Sequence, residues 1–102
     1  MAIGYALSEQ LLFDEKTGKP LNNNLLDYKL PTIMDTPDIG AAFVEKGDPT
    51  GPFGVKSLGE PPIVSPAPAI RNAVLDATGV AFNRIPMNPQ RVFEKLKETG
   101  LI

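Results

Sequence analysis

The sequence predicts an α+β fold, a small mixed layer of strands with three helices, of which two are capped and C-terminal. Three features indicate it: apolar residues at helical spacing near the N-terminus, a strand-like apolar stretch at residues 38–46, and two helix start signals after residue 64. A chain of 102 residues has the length of one small domain with one core. Residues 1–102 are therefore expected to form a single domain.

The first predicted element is a short helix within residues 2–12. Its apolar side chains have the spacing of one helical face: Ile3, Ala6, Leu7 and Leu11. No capping residue precedes it. Tyr5 is expected in the core. The polar stretch 14–18 ends at Gly18 and lies between apolar residues, which predicts a turn or hairpin.

Residues 22–46 are expected to lead from an irregular connector into a strand. Residues 22–35 follow no period, and Pro31 favours extended geometry at Leu30. In residues 38–46 both faces are nearly apolar, which is typical of a strand covered on both sides. The sequence therefore predicts a buried strand there, with Phe43 in the core.

The two C-terminal helices have clear boundaries. Ser65 and Asn88 can cap them, each is followed by a proline, and Gly79 and Gly100 can end them. The predicted buried stripe of the first is Ile70, Ala73, Val74 and Ala77. The predicted inner face of the second is Val92, Phe93 and Leu96.

Composition argues against several classes of function. The net charge of −2 offers no attraction for nucleic acid. Without cysteine or histidine, the chain lacks the ligands that hold zinc, iron–sulfur clusters or haem, and no metal site is predicted. The acidic residues near positions 14 and 35 lack the spacing of a calcium loop. Since no membrane helix or signal segment is recognisable, the chain is expected to be cytoplasmic.

The segment that points to chemistry is the glycine-rich loop at residues 47–62, which ends in Gly59-Glu60-Pro61-Pro62. Because glycine has no Cβ, Gly59 is expected to leave room for a large ligand beside Glu60. Pro61 disfavours the α region for Glu60 and is expected to hold it extended. The N-terminus of a following helix favours an ionised carboxylate, which is what a general base requires.

The residues themselves leave the role of this loop open. Glu60 is either a catalytic base or an ordinary acidic residue at a helix N-terminus. Lys56 either supports the loop or contacts a ligand, and structural support is the commoner case. A phosphate-binding P-loop is disfavoured, because Val55 occupies the position where that motif has glycine.

Five stretches, in the same order, resemble the large, molybdopterin-binding subunit of molybdenum hydroxylases, the family of xanthine dehydrogenases and aldehyde oxidases. Residues 54–62 are similar to its G-x-K-x-x-G-E-P-P signature. Residues 4–9 resemble the end of a family helix, residues 27–32 its D-Y-K-I-P-T connector, residues 67–80 its A-P-A-I helix, and residues 85–92 its closing L-P-I-T-P-E-R-V. The resemblance covers nearly the whole chain and identifies it as the C-terminal part of such a subunit.

The resemblance implies an oxidoreductase that hydroxylates an N-heterocycle or an aldehyde, with Glu60 as the general base. It also implies a cofactor-binding wall beside the molybdopterin, made of Gly54, Val55, Lys56, Ser57 and Gly59. The implied partners are the remainder of the molybdopterin subunit, the subunits or domains that carry iron–sulfur clusters and FAD, and a small-molecule substrate.

The subunits of this family are several times longer than the chain, and their other pterin-binding loops precede the region that it resembles. The isolated chain is therefore expected to bind no cofactor, to be inactive and to self-associate through apolar surface that the remainder would cover. Two alternatives stay open: a stand-alone, non-catalytic assembly or interaction module that retained the fold, and a split subunit completed by a separate polypeptide.

Overall fold

The structure is a computed structural model that describes all residues, Met1–Ile102, and it consists of four α-helices joined by long irregular segments. The helices are α1 (Ala2–Leu7), α2 (Pro61–Val64), α3 (Pro66–Thr78) and α4 (Pro89–Glu98). Helices α1, α3 and α4 are the three that the sequence predicts. The single turn α2 is not predicted.

The predicted mixed layer of strands is wrong. The only β pairing is an isolated antiparallel bridge between Phe13 and Pro20. The predicted strand at residues 38–46 is an unpaired segment, and residues 37–47 form no backbone hydrogen bond. Phe43 is 76% exposed and Val44 is 96% exposed. An apolar pattern indicates that a segment is to be covered, but a strand also needs a neighbouring strand, and this chain provides none.

The predicted turn at residues 14–18 is confirmed. The Asp14 carboxylate accepts hydrogen bonds from the Thr17 amide and hydroxyl, both at 2.7 Å, and Gly18 has a left-handed φ of 67°. The Thr17 hydroxyl, followed by the Thr17 amide, lowers the pKa of Asp14 because both stabilise the ionised carboxylate. Asp35 and Asp48 form similar bonds with Thr32 and Thr50, which lower their pKa in the same way.

The core is small and lies between α3, α4 and the segment that joins them. Its buried residues are Val80, Phe82 and Met87, and the residues packed against them are Ile70, Val74, Val92 and Leu96. Helix α1 packs against α3, and the Ala6 carbonyl accepts a 2.7 Å hydrogen bond from the Met87 amide. The N-terminal helix is therefore fixed to the C-terminal core.

Several side chains predicted to be buried lie at the surface. Ala73 and Ala77 are exposed, and Phe93 is 57% exposed, while Tyr5 is half-buried. The inner stripe of α3 instead follows Ala67, Ile70 and Val74. The reason is that α3 meets the buried residues Val80, Phe82 and Met87 through Ile70 and Val74, and the two alanines lie outside this contact.

Of the two predicted N-caps, only Asn88 acts as one. Its side-chain oxygen accepts a 3.0 Å hydrogen bond from the Arg91 amide. Ser65 makes no capping bond, because its φ of −83° and ψ of −32° continue the helical path from α2 into α3. Gly79 and Gly100 adopt left-handed φ values of 70° and 73° at the ends of α3 and α4, as predicted.

We expect the Asn88→Ala substitution to lower the free energy of unfolding by about 1 kcal/mol, because the first turn of α4 loses its side-chain acceptor. Ser65→Ala is the matched control, and its cost should be only a few tenths of a kcal/mol, roughly that of a surface substitution. Urea unfolding followed by far-ultraviolet circular dichroism measures both. Equal costs for the two variants would contradict the assignment of the caps.

The chain is far more open than a compact protein of its size. Its radius of gyration is 18.4 Å, whereas a compact domain of about 100 residues has roughly 13 Å. Its accessible surface is 8517 Å², whereas a compact monomer of this mass exposes roughly 5,600 Å². None of the helices has the length and apolarity needed to cross a membrane. The predicted cytoplasmic location stays a prediction.

Candidate functional site

Glu60 lies at the edge of an open cavity of about 670 Å³ between α1 and α2. One wall is the N-terminal end of α1, and the other is formed by Gly59, Glu60 and the start of α2. The lining residues are Met1, Ala2, Ile3, Ile39, Gly59, Glu60, Pro62, Ile63 and Pro66. Glu60 is the only one of them with a charged side chain, so any acid–base chemistry in this cavity by a side chain of this chain depends on Glu60.

The backbone at Glu60 differs from the prediction. Glu60 has φ −69° and ψ −25°, which is right-handed helical geometry rather than extended. The Ile63 amide donates a 2.8 Å hydrogen bond to the Glu60 carbonyl, and this turn offsets the disfavour that Pro61 imposes on helical geometry. The sequence predicts that free N–H groups at a helix start favour the Glu60 carboxylate. Pro61 and Pro62 carry no amide hydrogen, so the first two residues of α2 provide no such donors.

The carboxylate of Glu60 is exposed, accepts no hydrogen bond and forms no ion pair within the chain. Other carboxylates of the chain are engaged: Glu9 accepts a hydrogen bond from Tyr28 at 2.9 Å, and Glu98 pairs with Lys95 at 3.1 Å. The Glu60 side chain therefore remains available to a group outside the chain.

Gly59 has open space around it. A Cβ built at this position meets no atom within 4 Å, and its φ is not in the left-handed region. Neither crowding nor backbone conformation within the chain requires glycine here. The expected room beside Glu60 is present.

Gly51 is different, because the chain itself requires it. A Cβ there would lie 2.7 Å from the Val55 carbonyl oxygen. Residues 48–55 are closed by four backbone hydrogen bonds of 3.0 to 3.2 Å. The next four residues, 56–59, form no backbone hydrogen bond. The loop thus consists of a closed turn followed by a strip with unpaired peptide groups that leads to Glu60.

The predicted cofactor-binding residues do not share one cavity. Gly54, Lys56 and Ser57 line a second cavity of about 700 Å³, whose other wall is the unpaired segment 42–47. Gly59 lines the Glu60 cavity, and Val55 lines neither. The structure therefore brings only Gly59 together with Glu60, while Lys56 lies in the adjoining concavity.

Sequence reasoning assigned Tyr5 to the core and missed its contact with α2. The Tyr5 hydroxyl donates a 2.7 Å hydrogen bond to the carbonyl of Ile63, which is separated from it by 58 positions. No spacing rule connects a residue of the first helix with a carbonyl so far along the chain. The signal available was the phenol itself, since a partly buried tyrosine hydroxyl usually finds a partner.

A second phenol, Tyr28, connects residues 22–35 to the segment that follows α1. Its hydroxyl donates to the Glu9 carboxylate, and this hydrogen bond, with smaller contributions from desolvation and the charge of Glu9, raises the pKa of Tyr28. The folded state holds the phenolic proton more tightly than the unfolded state does. The hydrogen bond therefore contributes fully to the stability of the fold below the unfolded pKa of about 10, and this contribution is lost as the pH rises through the folded pKa.

We expect the Glu9→Gln substitution to lower the pKa of Tyr28 toward its ordinary value, because it weakens the hydrogen bond to the carboxylate and also removes the negative charge that disfavours the phenolate. The ultraviolet absorbance of tyrosinate during an alkaline titration measures this shift, and a Tyr5→Phe background isolates the Tyr28 signal. Glu15→Gln serves as the control and should leave the titration unchanged. A Tyr28 pKa that is the same in the Glu9→Gln variant would contradict the hydrogen bond.

Comparisons with known proteins agree on one family. The family model described as "Molybdopterin cofactor-binding domain" matches residues 1–37. The putative xanthine dehydrogenase molybdenum-binding subunit XdhA of Escherichia coli is 53% identical over 102 residues, which is 100% of this chain and 14% of that protein. The aldehyde oxidoreductase of Megalodesulfovibrio gigas is 40% identical over 96 residues, covering 93% of this chain and 10% of that protein.

The fold of the chain is also similar to that of a solved structure. Quinoline 2-oxidoreductase from Pseudomonas putida 86 matches with a TM-score of 0.84 and 34% identity, over 95% of this chain and 13% of that chain. The collinear motifs, the matched family domain and this structural likeness coincide. The chain belongs to the molybdopterin-binding subunits of the xanthine dehydrogenase and aldehyde oxidase family, and it corresponds to one segment of such a subunit.

Proposed function

We propose that this chain contributes the catalytic base, Glu60, and one wall of the active site to a molybdenum-dependent hydroxylase. The observation that carries the proposal is the free Glu60 carboxylate beside the open space at Gly59. The substrate class that we propose is an N-heterocycle or an aldehyde. The names of the relatives support this class, since they refer to xanthine, aldehyde and quinoline oxidoreductases.

The residues present fit the edge of a large bound group rather than a complete enclosure. Gly59 leaves space for close approach, and the unpaired peptide groups of residues 56–59 can donate hydrogen bonds. The Lys56 ammonium forms no ion pair in the chain. We propose that Gly54, Val55, Lys56, Ser57 and Gly59 hold one side of the molybdopterin cofactor, and that segments of the complete subunit hold the rest.

When it is bound, the molybdenum cofactor supplies the redox chemistry of hydroxylation and accepts the electron pair that the substrate loses. The role of Glu60 is to take a proton from the oxygen that attacks the substrate carbon. An ionised carboxylate without an internal partner is suited to this step, because no hydrogen bond has to break before it accepts the proton. Ala2 and Ile3 contribute an apolar wall to the cavity that Glu60 lines.

The partners that we propose follow from the open surface of the chain. The unpaired segment 37–47 exposes Ile39, Phe43 and Val44 and leaves its backbone donors and acceptors free. The excess surface over a compact monomer has the size of an obligate interface, about 2,000–5,000 Å². We propose that the remainder of the molybdopterin subunit covers it. Iron–sulfur and FAD subunits or domains would carry the electrons onward, since a chain without cysteine offers no thiolate for a cluster.

The isolated chain is expected to bind no molybdopterin, to turn over no substrate and to self-associate. Its single loop forms only one side of a cofactor site, and its exposed apolar residues lack a cover. An active, cofactor-loaded preparation of these 102 residues would contradict this part of the proposal. Clean monomers at high concentration in size-exclusion chromatography would contradict the expected self-association.

The experiment that tests the proposed function is the Glu60→Gln substitution in the complete subunit. Turnover and molybdenum content are measured on the same preparation. Loss of turnover with full molybdenum content supports Glu60 as the base. Full turnover in the variant would exclude that role.

A further inference from the structure

We infer that Tyr5 is a positioning residue for Glu60, which it holds in place through its hydrogen bond to the carbonyl of Ile63. The inference rests on the proposed function of Glu60. It connects a residue of the first helix with the position of the proposed base in mid-chain. Tyr5 acts through α2 and is not itself a catalytic residue.

The first step of the inference is that the direction of the Glu60 side chain depends on α2. No hydrogen bond or ion pair of the chain holds the carboxylate. The backbone of Glu60 is fixed instead by its carbonyl, which accepts the Ile63 amide at 2.8 Å, and by the two prolines that follow it. Any displacement of α2 therefore moves the Cα–Cβ bond of Glu60.

The second step is that α2, apart from its continuation into α3 and its contact with that helix, has few other attachments. It is a single turn of four residues, and Pro61, Pro62 and Val64 are exposed, while Ile63 is only partly buried. Side-chain hydrogen bonds to α2 from the rest of the chain are limited to the one from Tyr5, at 2.7 Å. Since the next helix places prolines at positions 66 and 68, two backbone amides that could otherwise join the helices are absent.

The third step is that Tyr5 lies on α1, the helix whose first residues form the opposite wall of the Glu60 cavity. Helix α1 contributes Ala2 and Ile3 to that wall, and it is fixed to the core through the hydrogen bond between Met87 and Ala6. The bond from Tyr5 to Ile63 thus joins the two walls and sets the distance between them. A bound substrate or cofactor would meet Glu60 at a distance that this bond controls.

The test is the Tyr5→Phe substitution in the complete, cofactor-loaded enzyme. The ring and its packing are kept, and only the hydroxyl is lost. We expect kcat per molybdenum to fall by about tenfold, because a small displacement of a catalytic group has effects of this order or larger. The KM and the molybdenum content should stay close to those of the unmodified enzyme. Tyr28→Phe is the matched control, because it removes a phenol that bonds to Glu9 and not to α2, and its kcat should be unchanged.

A double-substitution cycle separates positioning from general destabilisation. If Tyr5 acts through Glu60, Tyr5→Phe should have no further effect on kcat in a Glu60→Gln background. An equal fall in kcat in both backgrounds would overturn the inference, and so would a Tyr5→Phe enzyme that loses its molybdenum. Unchanged kcat in Tyr5→Phe together with an inactive Glu60→Gln enzyme would remove the role of Tyr5 alone. A fully active Glu60→Gln enzyme would remove the proposed function itself.

Discussion

The Glu60→Gln variant of the complete subunit is expected to keep its molybdenum and to lose about 10²- to 10⁴-fold in kcat, the range typical of a lost general base. Glutamine has nearly the same shape as glutamate but cannot accept the proton. The cofactor should still bind, because the peptide groups of residues 56–59 and the open space at Gly59 do not depend on the carboxylate. Steady-state turnover and metal analysis of one preparation measure the two quantities.

The matched control for this variant is Glu15→Gln. Glu15 is also exposed and lies in the turn that follows Asp14, away from the residues that line the Glu60 cavity. Its kcat should equal that of the unmodified enzyme. If both variants were fully active, the chain would serve the enzyme only through its fold and its contacts. This result would support the alternative that the chain is a non-catalytic module. If Glu60→Gln lost its molybdenum, Glu60 would support the cofactor site rather than act as its base.

The elements predicted correctly from the sequence are those whose signals are local. The turn at residues 14–18 depends on Asp14, Thr17 and Gly18, which lie within one hydrogen-bonded loop. The end of α3 depends on Gly79, and the start of α4 depends on Asn88 and the proline that follows it. In each case the physical cause and its effect are separated by a few residues, so the pattern alone is sufficient.

The predictions that were wrong have two kinds of cause: residues 38–46 lack a distant partner, whereas Ser65 and Glu60 are governed by the short helix α2 next to them. Residues 38–46 have the apolarity of a buried strand, yet nothing in the chain pairs with them or covers them. Ser65 has the identity of a cap, but α2 continues directly into α3 and leaves it no capping role. Glu60 precedes a proline and is nevertheless helical, because the Ile63 amide closes a turn on its carbonyl. In these cases the propensity of a single residue is outweighed by the absence of a pairing partner or by the turn that its neighbours form.

The arrangement of the candidate site, too, was predictable from the sequence only where its signals are local. Glu60 and the open position at Gly59 follow from a short motif, and the structure places both on one cavity. The motif gives no indication that Lys56 and Ser57 face a different concavity. It also gives none that the wall opposite Glu60 comes from α1, or that Tyr5 joins the two walls. These features need the three-dimensional arrangement of segments that are far apart in sequence.

The Phe82→Ala substitution is expected to lower the free energy of unfolding of the chain by about 3–5 kcal/mol. Phe82 is only 7% exposed and lies in the small core with Val80 and Met87. Removing its ring leaves a cavity that the few surrounding side chains cannot fill. A core this small supplies roughly 3–5 kcal/mol in total, so the variant should lose most of the helical circular dichroism at room temperature.

Phe93→Ala distinguishes this loss from the general cost of removing a phenylalanine. Phe93 is 57% exposed on the outer side of α4, although its spacing predicts a core position. Since its ring remains largely in water, its removal from the isolated chain should cost less than about 1 kcal/mol. Urea unfolding of dilute chain, before self-association, gives both values. Equal costs for the two variants would mean that Phe93 packs into the core beside Val92 and Leu96, as its spacing predicts, and the exposed position of its ring would then have to be revised.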